Sequence, residues 1–264
     1  MDLPDTLADD LYDFAFCPEP CYERLVDLAN PEPWGEGNRV LKNYLLFSFK
    51  RAVQLTKRDH TTAAAPSALP IVFDEGLCLF NTGLYTRRYE TVYALFEPNT
   101  REDARQRWFL KGFFKESDPA LLSFECLPCR VRFAEDPSEL VFDYRLPIRS
   151  NIDHVLGDER NLTRIPASLK GEENSLLLRR AFEGAVVEAA RRAAANYTLA
   201  VPQFYNGRIQ LLLPLCLTGD KPELALTIQR EDGFYSARTC LTLDMAYNNA
   251  RLICRAESSW IKRG

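Results

Sequence analysis

Two long stretches of helical spacing frame runs of period-two alternation. Val40, Leu41, Tyr44, Leu45, Ser48 and Ala52 recur at three- and four-residue intervals behind Asn38, a good helix cap, and predict a helix to about residue 58. Leu178, Phe182, Ala185, Val186, Ala189 and Ala193 form a second stripe over 175–196, with Arg179, Arg180, Arg191 and Arg192 mostly off it. Ile71-Val72-Phe73 and Leu77-Cys78-Leu79-Phe80 flank Asp74-Glu75-Gly76 and read as a hairpin. Strands are expected at 91–97, 108–114 and 140–145, then at 208–217, 223–230 and 234–243, where Gly219-Asp220 and Asp232-Gly233 supply turns. A helix near 244–254 closes the chain. Strands grouped in hairpin-linked runs, with helices between the runs, define an α+β class built on a largely antiparallel sheet. Ahead of it, residues 5–30 read as short helices broken at Pro18 and Pro20, followed by a turn-rich joint to Gly37. The expected organisation is an acidic helical leader, 1–38, and one α+β domain, 39–264.

Charge sharpens that division. The leader carries ten acidic residues against Arg24 alone, a net −9, and the remaining chain is +5. A mildly basic body can bind a polyanion, with the leader competing for or covering the same surface. Arginines outnumber lysines 25 to 8, and their planar fork suits phosphates. The first residues carry neither a basic n-region nor an apolar h-region, and no apolar run is long enough to span a bilayer, so a cytoplasmic protein without a secretory signal is expected.

The eight cysteines are then expected as free thiols. Cys17-Pro-Glu-Pro-Cys21 and Cys126-Leu-Pro-Cys129 have the spacing of zinc half-sites, but they lie far apart and lack turn glycines, so no metal is expected. Phosphate-cradling glycine loops, a G-x-S-x-G elbow and an H-E-x-x-H motif are all missing, and no cofactor is expected. Only two histidines, His60 and His154, could serve as neutral-pH bases.

Polar residues stranded among apolar ones mark the candidate chemistry, because a buried polar group costs ~1–3 kcal/mol unless it is satisfied. Four clusters stand out: Phe80-Asn81-Thr82-Gly83-Leu84, Lys111 within Phe109–Phe114, Phe204-Tyr205-Asn206-Gly207-Arg208, and Tyr247-Asn248-Asn249-Ala250-Arg251. Asn and Arg read base edges and phosphates, and Tyr or Phe stacks on bases. The candidate ligand-binding residues are Asn81, Thr82, Lys111, Arg208, Arg238, Tyr247, Asn248 and Arg251. Consecutive hairpins over 208–243 would put the Asn206-Gly207 and Asp232-Gly233 turns at one end of the sheet. Arg238 would then share a face with Phe234, Ser236 and Cys240, and line one concave site with Asn81 and either Asn248 or Arg251.

These clusters, with Tyr93–Glu97, Gln203–Tyr205, Ile209–Leu217 and Ala246–Ile253, resemble a bacterial and fungal domain family of unknown function over roughly residues 10–260. Members of that family often sit C-terminal to cold-shock or LOTUS-type RNA-binding modules, which implies a role in RNA metabolism and supplies no catalytic residues. The leading expectation is an RNA- or nucleotide-binding domain. One alternative is a metal-independent enzyme acting on a nucleotide or phosphodiester, with His154, Glu97 or Asp244 as general base. The other is a protein-interaction scaffold, marked by an exposed apolar patch.

Overall fold

The computed structural model describes residues 7–61, 65–101, 103–255 and 260–261, excepting the side chains of His60, Thr61 and His154. Its contacts divide the chain into two compact units, Met1–Arg132 and Phe133–Gly264, each built on a five-stranded mixed sheet. The division falls at 132/133, whereas charge had suggested 38/39.

The first unit begins with α1 (Leu11–Phe14), β1 (Ala15–Phe16) and α2 (Glu19–Leu28), followed by the long α3 (Arg39–Thr61). The hairpin β2 (Ile71–Asp74) and β3 (Leu77–Tyr85) leads to β4 (Thr91–Pro98) and β5 (Trp108–Lys115). The sheet order is β1-β5-β4-β3-β2, antiparallel except where β1 runs parallel to β5 at the edge. All six stripe residues of α3 are buried. The acidic leader does not stand apart, since its Leu7, Leu11, Phe14, Cys21, Tyr22 and Leu25 are core residues. The Phe14 ring packs 5.0 Å from Phe49 of α3 and 5.3 Å from Phe96 of β4, pairs worth about 0.5–1.5 kcal/mol each beyond their burial. Pro20 does not break α2. It sits in the first turn, where its missing N–H has no helical partner to lose.

The second unit has β6 (Ile148–Arg149), α4 (Ile152–Gly157), α5 (Glu159–Arg164) and α6 (Ser175–Ala195), then β7 (Val201–Tyr205), β8 (Arg208–Leu215), β9 (Leu224–Glu231), β10 (Phe234–Thr242) and α7 (Leu243–Arg251). Strands β7 to β10 pair as consecutive antiparallel hairpins, and β6 adds a parallel edge to β10. The buried stripe of α6 is the one its periodicity predicts, and the helix lies against β8. Two expectations need correction. Residues 140–145 are not a strand: Asp136 caps a 3-10 turn over Pro137–Leu140, and Asp143 then folds back onto Arg145. Conversely Val201–Tyr205 is a strand, and its Pro202 is tolerated because β7 is an edge. Among the described residues no helix is long and apolar enough to cross a membrane.

Candidate functional site

The Asn81-Thr82-Gly83 cluster lies inside β3 rather than in a turn beyond it. Pairing shifts from Asn81↔Tyr93 to Leu84↔Val92, so Thr82 and Gly83 form a bulge. Asn81 is only 4% exposed; its Nδ2 donates to Pro128 O at 2.8 Å and its Oδ1 accepts from Gly83 N at 3.0 Å. Thr82 Oγ1 donates to Val92 O and accepts from Leu84 N. The Tyr44 hydroxyl donates to Thr82 O and stands 2.7 Å from where a Cβ on Gly83 would project, which together with φ +71° explains glycine there. These polar side chains satisfy a buried irregular backbone and face no solvent.

The other expected residues divide between the units. Lys111 is exposed on β5, with Nζ 3.2 Å from Glu97 Oε2. In the second unit Arg208 is exposed at the start of β8 and forms no ion pair among the described residues. Arg238 is the extra residue of a bulge in β10, where register passes from Ala237↔Ile228 to Thr239↔Thr227, so it does not continue the alternation to Cys240. Its guanidinium pairs with Glu231. Tyr247 and Arg251 are buried on α7, and Asn248 Nδ2 donates to Asp244 O within the helix. The structure therefore brings no two of Asn81, Lys111 and Arg238 onto one shared surface within a unit.

The side chain of His154 lies outside the described residues, and Asp244 is exposed in the first turn of α7. No group of three or more His, Cys, Asp or Glu able to hold a metal occurs among the described residues. The eight cysteines form no disulfide. Burial pushes the Cys17 and Cys240 thiols up to about 12, and it also raises Cys126 and Cys129, so none of these four is poised as a thiolate.

Sequence reasoning missed a cleft at the edge of the first sheet. The short β1 runs parallel to β5 with Phe16 opposite Phe109, and their rings stack at 5.9 Å and 23°. Alternation turns Ala15 and Trp108 the other way, where Trp108 stacks on Phe14. Phe16 is left 46% exposed. The β4–β5 loop closes the cleft, so that Asn99, Arg101, Asp103, Arg105 and Gln106 join the two rings around roughly 340 Å³, near the lower end of the roughly 300–1,000 Å³ typical of ligand sites.

The loop is held by its own bonds: Asn99 N donates to Arg107 O, and Asn99 Oδ1 accepts from Arg101 N. Arg105 Nη2 meets Asp13 Oδ1 at 2.6 Å, and Gln106 Nε2 donates to Tyr12 O at 3.0 Å. Arg101 and Arg107 form no ion pair among the described residues. Lys111 adds no cation to this cleft: it is the extra residue of a bulge in β5, between Leu110↔Phe96 and Gly112↔Leu95, and its ammonium is paired with Glu97. An apolar ring open to solvent, guanidinium groups beside it and amides at the rim can take a planar aromatic group that carries a negative charge. The available signal was the arginine-rich loop between two predicted strands; the partner ring could not be found without the fold.

A second cavity is of another kind. A groove of about 730 Å³ in the second unit lies between α4, α5 and the start of α6, lined by Leu156, Leu162, Ile165, Leu169, Leu176 and Leu178. Asp153 and Arg179 pair at its rim at 2.5 Å.

The fold defines an α+β protein built on two five-stranded mixed sheets. The chain belongs to the family described as Domain of unknown function (DUF3825), whose model matches residues 25–260. Neither a curated protein nor a solved structure matches it.

Proposed function

We propose that this protein binds RNA or a nucleotide, with one base stacked on Phe16 and its phosphate held by Arg101 and Arg105. The observation that carries this reading is the Phe16–Phe109 stack, with Phe16 exposed, bordered by Arg101 and Arg105 of the β4–β5 loop. Gln106 Oε1 and Asn99 Nδ2 remain as an acceptor and a donor, the two functions a base edge requires. The neighbourhood of RNA-binding modules that the family resemblance implies leans the same way, as does a cytoplasmic setting. Binding of a labelled single-stranded oligonucleotide, followed by anisotropy over a salt series, tests the proposal. Base–aromatic stacking is worth about 1–3 kcal/mol, so Phe16→Ala should weaken binding by roughly 5- to 150-fold. No binding at low salt, or full binding by Phe16→Ala, refutes it.

A second reading, an interaction scaffold, draws on the leucine-lined groove, where Leu176 and Leu162 are exposed. Leu176→Glu should then abolish capture of a partner while leaving oligonucleotide binding intact.

A further inference from the structure

We infer that the second unit carries a nucleic-acid surface of its own, on the turn end of its sheet, where Tyr205, Arg208, Phe234 and Arg149 take a single strand through base stacking and phosphate pairing. This goes beyond the cleft of the first unit and rests on other residues. The β7–β8 turn, Asn206-Gly207, has positive φ at both positions, as a tight two-residue hairpin requires. Because β7 to β10 are consecutive hairpins, the Asp232-Gly233 turn falls at the same end. Register places Tyr205 opposite Arg208 and Glu231 opposite Phe234. The β8–β9 ladder ends at Leu211↔Ile228, the Gln210 and Gln229 side chains bond just beyond it, and extending the same register sets Arg208 level with Glu231. Strand alternation then sets Tyr205, Arg208, Glu231 and Phe234 in one row on one face.

The row has the composition of a stacking platform. Tyr205 is 55% exposed at one side, and the Arg149 guanidinium lies 4.3 Å over the Phe234 ring at the other. Arg208, exposed between them, and Arg149 both lack a carboxylate partner among the described residues. Glu231 is neutralised by Arg238, while Arg230 is 4.0 Å from Asp143 and the turn residue Asp232 forms no ion pair among the described residues, so Arg208 and Arg149 outweigh this one carboxylate. The face therefore presents the Arg208 guanidinium between the Tyr205 and Phe234 rings and the Arg149 guanidinium over Phe234 at the β6 edge, a pattern that complements a phosphodiester with exposed bases. An acidic polypeptide would match the charge and leave the rings unused.

A buried amide relay makes this face rigid. Asn249 of α7 donates to Gln203, Gln203 to Gln210, Gln210 to Gln229, and Gln229 to Glu231, over distances of 2.9 to 3.1 Å. Gln203, Gln210 and Gln229 are only 2%, 7% and 7% exposed. The relay fixes Glu231, which in turn anchors Arg238 at the platform's edge.

The test uses the full chain and labelled oligouridylate of about 12 nucleotides, within the range that single-strand binders cover. Removing two phosphate contacts with Arg149→Gln/Arg208→Gln should lower the slope of log K against log salt by about 1.4. Tyr205→Ala should weaken binding by roughly 5- to 150-fold. All three side chains are exposed, so melting temperatures should hold. The same measurements in a Phe16→Ala background separate the two surfaces. Loss caused by Phe16→Ala alone, with slope and affinity insensitive to the second-unit changes, overturns this inference and leaves the cleft standing. Effects of the second-unit changes without any from Phe16→Ala support it and refute the cleft. Displacement of the strand by polyglutamate of equal charge, as effective as unlabelled oligouridylate, also overturns it.

Discussion

Replacing Asn81 by alanine deletes two hydrogen bonds inside a buried bulge and provides nothing in their place. Pro128 O loses its donor and Gly83 N–H loses its acceptor, both away from solvent. Each stranded group costs about 1–3 kcal/mol, so the loss should reach roughly 2–4 kcal/mol once partial relaxation is allowed. A unit of this size shifts by about 3 °C per kcal/mol, which predicts a melting temperature lower by roughly 6–12 °C. Thermal unfolding followed by circular dichroism, with urea midpoints as a check, measures it. Asn81→Asp gives a finer test. At neutral pH its carboxylate still accepts from Gly83 N–H but opposes Pro128 O, so it should be at least as unstable as Asn81→Ala. Acid should partly restore it, because a protonated carboxyl can donate to that carbonyl. A melting temperature within about 2 °C of the parent, combined with lost oligonucleotide binding, would show that Asn81 faces a ligand and refute the structural account.

Four further outcomes follow from the same geometry. Asp13→Asn frees Arg105 at the rim of the cleft and should tighten oligonucleotide binding up to about fivefold at low salt; an exposed ion pair is worth about 1 kcal/mol at most, so the gain should vanish at high salt. The guanidinium of Arg145 beside Asp143 holds its carboxyl at about 2, below the unfolded value near 3.9, so this contribution to stability is complete above about pH 4 and lost as pH falls through 2. The difference in urea midpoint between the parent and Arg145→Ala should accordingly be constant above about pH 4 and shrink below it. Gln210→Leu cuts the amide relay at its centre and should cost roughly 1–3 kcal/mol in chemical denaturation, by stranding Gln203 Nε2 and Gln229 Oε1. A thiol reagent applied to the native protein should label exposed Cys254 well before buried Cys78 and Cys240, as peptide mapping would show.

Local periodicity determined much of this protein. The stripes of α3 and α6, the hairpin at Asp74–Leu77 and the consecutive strands after residue 208 all follow from 3.6- and two-residue repeats, which need no knowledge of the partner. The α+β class followed from their grouping. Tertiary structure decided where polar residues point. Asn81 looked like a ligand contact because its partner, Pro128 O, lies 47 residues away and is invisible to local pattern. Arg238 left its expected face because a bulge adds one residue to β10, and only pairing with β9 reveals that insertion. Phe16 and Phe109 became neighbours through a two-residue parallel pairing too short to leave a periodic signal. The acidic leader, legible as charge, packs into the first unit through Phe14 and Tyr22, and its carboxylates do not oppose this because Asp9, Asp13, Glu19 and Glu23 stay exposed to solvent.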